Sequence, residues 1–498
     1  MNFTRLITTT IKNAFFFTAI AFWIVFFGST SFAEDYHIKS QADFDKLKRH
    51  TFSAGDNILF QKGKRFKGMF SPRGNGKKGS PIRIGTVGNG KKPRIDVMGK
   101  EPSGVFLQDP AFWEIHGLEI TNTNGSNEDQ GDLFGIRVVA DKQEGTFEHI
   151  HISDCYIHDV NGKVAGKRRG GIHVHLNKLK KSIFHDLRIT NNRIENIGGV
   201  GIGNTSSAAR VKFSKDSYET AYLWTDVYVA DNFIDMTGRN SIIARASKDA
   251  IYERNTLANS SRHDIGHSIF CFGTDGIKIQ YNEAYGNVGD GGMDRGGFDA
   301  DYNCVNTFIQ YNYSHDNLWF CGIMKRPNRH VVIRYNLSVN DREGIYFYGF
   351  NNEKDASDVH IYNNTHFVGK KYRARVFPEG RTPINSRFEN NIFYFEGKGF
   401  WGQKKSGPGV KFFNNLYVGI KPHPDDSSPV TGDPRFYSAG KAPTNIDLTR
   451  MKELLGYELR RGSAAIKSGI QIKDNGGLTL EKDKVSSSSP HLGALHTR

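Results

Sequence analysis

Cysteine, proline and methionine are scarce in this chain, at 4, 15 and 7 of 498 residues. Four cysteines (Cys155, Cys271, Cys304 and Cys321) exclude a disulfide framework as the basis of the fold. No CxxC pair occurs, which argues against thiolate zinc sites. A single Cys271–Cys304 bridge stays open. Few methionines and no leucine- or alanine-rich heptads exclude a helical bundle. Beyond the first 33 residues no run approaches the ~18 apolar residues that span a bilayer. Acidic residues fall short of basic ones, 52 against 67, and the net charge is +15. That imbalance calls for an acidic partner: nucleic acid, anionic lipid or acidic polysaccharide.

What is present narrows these choices. Arg5 and Lys12 precede an apolar run from Ala14 to Gly28, and Ser31-Phe32-Ala33 supplies small residues for cleavage. Residues 1–33 read as a secretory signal, with an uncleaved anchor as the alternative. Removing them leaves +13 on a chain expected to be secreted or periplasmic. A hydrophobic share of 37% excludes wholesale disorder, and 54 glycines imply many tight turns.

A short pattern, an apolar residue followed at a fixed offset by Asn, recurs as ITNNRI, YVADNFI, IQYNEA, IQYNYS, IRYNLS, IYNNTH, FENNIF and FFNNLY. Its asparagines are Asn192, Asn232, Asn255, Asn282, Asn312, Asn336, Asn364, Asn391 and Asn415, at intervals of 40, 23, 27, 30, 24, 28, 27 and 24. The interval of 40 holds an insertion near Ser206 to Thr225. A period of ~20–30 residues with alternating strands indicates a solenoid. Asn at a fixed corner tolerates the left-handed turn conformation, and stacked amides at ~4.8 Å per coil can bond in a ladder. Between the asparagines lie strands usually opened by Gly: GIHVHL, GVGIG, SIIARA, SIFCF, GFDADY, GIMKR and GIYFYG. Each coil thus carries about three short strands. The alternative is an all-β sandwich with Asn-rich turns.

This arrangement resembles the right-handed parallel β-helix of pectate lyases and related carbohydrate-active enzymes, over about residues 50 to 430. The expected layout is a signal at 1–33, a β-helix with its N-terminal cap at 34–433, and a closing segment at 434–498. Tyr36–Asn57 and 434–498 would block the solenoid ends against edge pairing, with a short helix at Leu448–Leu455.

Period-2 alternation sorts the Gly-opened strands. Ile172, Val200, Ile242, Ile269, Phe298, Ile323 and Ile345 should point inward. One outward column then reads His173, Gly201, Ile243, Phe270, Asp299, Met324 and Tyr346. A second reads His175, Gly203, Arg245, Phe272, Asp301, Arg326 and Tyr348. Bare glycines allow close approach of a ligand. Tyr346 and Tyr348 could stack on sugar rings, Arg245 could clamp a substrate carboxylate, and His173 and His175 could serve another subsite.

Asp299 and Asp301, at i and i+2, share a face with Cα atoms about 6.5–7 Å apart. Such a pair either binds a cation such as Ca²⁺, helped by Asp290 and Asp294, or works as acid and base in glycoside hydrolysis. Lys325 and Arg326 follow one coil later. A base beside a positive charge suits β-elimination from a uronate. The run RGGFDADYN … GIMKRPN … GIYFYGFNN resembles successive coils of calcium-dependent, lysine-base pectate lyases. That resemblance implies Asp294, Asp299 and Asp301 as metal ligands and Lys325 as base. Met324 occupies the outward slot, however, so either the strand bulges there or Arg326 is the working cation. His267, Asp275 and His315 read as turn or packing residues.

The expected function is a secreted, monomeric lyase acting on an acidic, uronate-containing polysaccharide, with no nucleic acid and no membrane beyond the leader. The alternatives are a glycoside hydrolase using Asp299 and Asp301, and a non-catalytic glycan-binding or adhesin β-helix.

Overall fold

The recurrent asparagines form a hydrogen-bonded ladder along the axis of a right-handed parallel β-helix. In this computed structural model the described residues are 33–498, apart from 165, 209–221, 290–291, 302, 325–327, 350–357, 447–451, 475, 478–479, 481–483, 487 and 496–498. Each side-chain amide donates to the carbonyl oxygen of the next rung at 2.9 to 3.1 Å, from Asn192 through Asn415. The same oxygen accepts the backbone N–H of the preceding rung, as Asn336 Oδ1 does from Asn312 at 2.9 Å. Asp426 ends the series, its Oδ2 accepting from Asn415 Nδ2 at 3.1 Å.

One expectation about these corners is corrected. The left-handed residue is not the ladder Asn but the residue before it. Asn191, Asp231, Arg254, Tyr281, Tyr311, Tyr335, Asn363, Asn390 and Asn414 have φ between 50° and 59°. The kink at that residue turns the following Asn inward, where its amide meets the rungs above and below. Tyrosine in this region costs on the order of 1–3 kcal/mol. The rings of Tyr281, Tyr311 and Tyr335 compensate by stacking at 5.2 and 5.7 Å.

Strands of successive coils assemble three all-parallel sheets of 14, 13 and nine strands. Inward side chains fill one continuous core, from Phe44 and Phe60 at one end to Phe412 and Tyr417 at the other. A short helix, Gln41–Leu47, lies at the N-terminal end, with Phe44 stacked on Phe66 at 5.7 Å. At the far end His423 stacks on Phe412 at 4.0 Å and meets Trp401 edge-on.

The described residues after 434, expected to close the solenoid, pack on its side, including on Leu416 of the last coil. They lie along the outer face of the 13-stranded sheet, where Leu454 and Tyr457 pack near Tyr313 and Leu337, and Leu459 and Leu492 near Ile392 and Leu416. The expected helix overlaps a 3-10 turn at Lys452–Tyr457. Among the described residues no helix is long and apolar enough to cross a membrane. All four cysteines are buried free thiols, and the Cys271 and Cys304 sulfurs are 3.7 Å apart.

Candidate active site

The nine-stranded sheet runs from Ser103–Gln108 to Gly344–Tyr348. Its register aligns one outer column: Phe106, Arg137, His173, Gly203, Ile243, Phe270, Asp299, Gly322 and Phe347. His173, Ile243, Phe270 and Asp299 stand where alternation placed them. Gly201, Met324 and Tyr346 do not, and their places belong to Gly203, Gly322 and Phe347. The phase depends on where each strand leaves its corner. In the strand Trp319–Ile323, Cys321 is the inward residue and Gly322 the outward one.

The same shift turns Tyr346 and Tyr348 into the core. The Tyr346 hydroxyl lies 2.8 Å from His366 Nε2, and Tyr348 donates to Ser386 Oγ at 2.8 Å. Neither can stack on a sugar. Ile345 also lies in the core as expected, whereas Val200 packs outside it with Ile243 and Phe270. Lys325 and Arg326 lie outside the described residues.

Three carboxyl groups meet on the C-terminal half of this face. The strand Gly296–Ala300 carries Asp299, with Asp294 just before it and Asp301 just after. The side chain of Asp299 is 6% exposed and that of Asp294 27% exposed. Asp301 is half-buried. Burial, then the charges of Asp301 and Asp294, push the Asp299 carboxyl well above the ordinary range. Burial opposes charge on Asp294 as well. There the nearby His267, Lys167 and Arg239 prevail, and its pKa falls below the usual value.

His267 joins the two acids. Its Nδ1 lies 3.0 Å from Asp294 Oδ1 and 3.6 Å from Asp299 Oδ2. Neither approach has hydrogen-bond geometry, and both ring nitrogens are buried without a hydrogen-bond partner. The imidazole rests on two glycines of successive coils. A Cβ at Gly296 would lie 2.7 Å from the ring, and one at Gly322 would lie 2.7 Å from both the ring and Asp299 Oδ1.

Sequence reasoning assigned His267 to packing. The signal that could have found it is a glycine on each of the two following coils, Gly296 and Gly322, both leaving room for a ring. Gly322→Ala should therefore lower stability by about 1–3 kcal/mol, the usual cost of overpacking, which urea melts check.

Cations and rings border the acids. Lys167 Nζ sits 4.7 Å over Phe270, the register neighbour of Asp299. Burial, with Arg239 next, lowers the Lys167 pKa against the pull of Asp301 and Asp294. Arg239 pairs with Asp264, and Arg381 lies 5.1 Å over the Phe347 ring. Arg245 faces outward as expected, its guanidinium near Phe270 and Phe272 at 5.8 and 6.0 Å.

His173 and His175 also lie on the outer face but are only 1% and 4% exposed. Burial holds His173 far below the ordinary imidazole value and His175 at about 3. Both are neutral groups away from solvent, which does not suit the sugar-contact role expected of them.

No family model matches the chain. A curated lacto-N-biosidase of Bifidobacterium longum subsp. longum is similar, with 26% identity over 511 aligned residues. The alignment takes in 85% of this chain and 31% of that relative, so the chain spans about a third of the relative's length. Among solved structures, the GH136 lacto-N-biosidase of Eubacterium ramulus superposes with a TM-score of 0.53 at 19% identity, covering 80% of this chain and 67% of that one. The xylose complex of XylC superposes with a TM-score of 0.50 at 11% identity, covering 93% and 98%. These likenesses show the parallel β-helix fold.

Proposed function

We propose that the protein is a glycoside hydrolase whose glycan lies along the outer face of the nine-stranded sheet. The observation that carries this is one buried and two solvent-reachable carboxyl groups within eight residues of chain. Glycoside hydrolysis needs two carboxyls beside the scissile bond, one to protonate the leaving oxygen and one to act as base or nucleophile. Asp294 and Asp301 are the pair open to the groove. Asp299 is the buried member, coupled electrostatically to both, with His267 beside it. The similarity to a lacto-N-biosidase supports hydrolysis over elimination. It also supplies the first probe, a chromogenic lacto-N-bioside. Release of the chromogen by the purified chain supports the proposal. An unsaturated, ultraviolet-absorbing product from a uronate polymer, without new reducing ends from any neutral glycan, would restore the lyase reading.

Calcium does not fit this site as the lyase resemblance implies. It takes about six to eight oxygen ligands. The cluster here combines two carboxyls with an imidazole. Lys167 and Arg239 stand close enough to influence Asp294. Hydrolysis should accordingly be unchanged, within twofold, by excess EDTA or by added calcium. Export remains part of the proposal, resting on Arg5, Lys12 and the apolar run that follows them.

A further inference from the structure

The catalytic face continues far beyond the acids. At its N-terminal end a cavity of about 500 Å³ is lined by Arg73, Asn75, Phe106, Gln108, Asp109 and Lys142, among others. Phe106 heads the same outer column that reaches Asp299 six coils later. At ~4.8 Å per coil the separation is roughly 29 Å. The volume falls in the range of small-ligand sites, about 300–1,000 Å³.

The charge in this cavity is uneven. Arg73 and Lys142 are exposed, and neither forms an ion pair among the described residues. The one acid, Asp109, is already engaged. Its Oδ1 accepts the N–H groups of Asp141 and Lys142 at 2.9 and 3.1 Å, and its Oδ2 accepts from Gln108 Nε2 at 2.9 Å. A half-buried ring, Phe106, forms part of the lining. The next residue of the column, Arg137, lies 6.0 Å over that ring and 4.7 Å over Phe134, and its buried Nε has no partner.

We infer that this cavity is a remote binding site for an anionic oligosaccharide. Phe106 offers a platform for one sugar ring, and Arg73 and Lys142 hold its carboxylate or sulfate. The inference rests on the proposed function for reading the sheet face as a glycan track. It extends that reading from glycans in general to extended, negatively charged ones. Aromatic stacking fixes position with little loss of freedom. Exposed cations add a salt-sensitive attraction.

The test uses the full chain carrying Asp301→Asn, so that no turnover interferes, with two anionic probes and one neutral one. A galacturonate hexamer presents carboxylates, a sulfated hexasaccharide presents sulfates, and maltohexaose presents neither. At least one anionic probe should bind in calorimetry. Its affinity should fall at least tenfold in the Arg73→Ala/Lys142→Ala double variant and again on raising salt. Phe106→Ala should weaken it similarly. Unchanged binding by the double variant, no binding of either anionic probe, or equal binding of maltohexaose would overturn the inference. Each outcome is independent of whether the unmodified chain cleaves the lacto-N-bioside, so the two readings fail separately.

Discussion

Asp294→Asn and Asp301→Asn should each lower kcat by about 10³-fold or more, whereas Asp299→Asn should cost less than about tenfold. Losing a general acid, base or nucleophile removes a group from the transition state itself, and proton transfer alone contributes roughly 10²–10⁴ in rate. Asp299 sits differently. It is buried and its pKa is raised by that burial, so an amide of the same shape mimics the favoured protonated form and retains a donor.

The pH dependence of stability separates these cases further. The folded-state pKa of Asp299 lies above its unfolded value, so the folded chain binds that proton more tightly. Stability therefore falls as pH rises from the unfolded pKa through the folded one. Asp299→Asn removes that slope and should leave the protein at least as stable at neutral pH, while Asp294→Asn removes a contribution of opposite sign. Turnover of the chromogenic probe and denaturant melts from pH 4 to 8 measure both effects. If Asp299→Asn proves as inactive as Asp301→Asn, Asp299 reaches the substrate, and the acid–base pair is the one alternation suggests, Asp299 with Asp301.

How much of this was legible in advance depended on the range of each interaction. The Asp299 and Asp301 pair could be seen because residues i and i+2 of an extended run share a face whatever surrounds them. His267 could not. Its partners Asp294 and Asp299 lie on the next coil, and its place depends on Gly296 and on Gly322, a further coil away. Tyr346 and Tyr348 failed for a related reason. Alternation assigns faces only after a strand's phase is known, and the phase here comes from the pairing of Cys321 with Tyr346 across coils. The C-terminal segment carries no repeat and follows no period. Its position came from the outer hydrophobics and tyrosines it covers, such as Tyr313, Leu337 and Ile392. The coil itself was readable because its chief determinant, one Asn per turn, recurs in sequence as it does in space.

That determinant carries the second large effect. Asn312→Ala should destabilise the protein by about 2–5 kcal/mol, since each buried polar group left unpaired costs roughly 1–3 kcal/mol. Asn312 Nδ2 donates to Ile279 O at 2.9 Å and to Asn336 Oδ1 at 3.0 Å. Its Oδ1 accepts from the backbone N–H and the side chain of Asn282 at 2.9 and 3.1 Å. Truncation leaves the buried Asn282 N–H without that acceptor and cuts the ladder in two. Asn312→Asp should be as harmful, because a carboxylate would face two oxygens that need a donor.

Asp426→Asn should cost only about 1 kcal/mol, the net worth of an ordinary hydrogen bond. Asp426 can be an acid because it closes the series. It accepts from Asn415 and from the Tyr417 hydroxyl, at 3.1 and 2.7 Å, and no ladder amide beyond it requires a proton. Urea melts rank the three variants. The Asn312 variants should also lose activity at a lower temperature than the unmodified chain. Asn312 lies in the coil that connects Asp299 to Gly322, so loosening that rung frees the floor on which His267 and the acids are held.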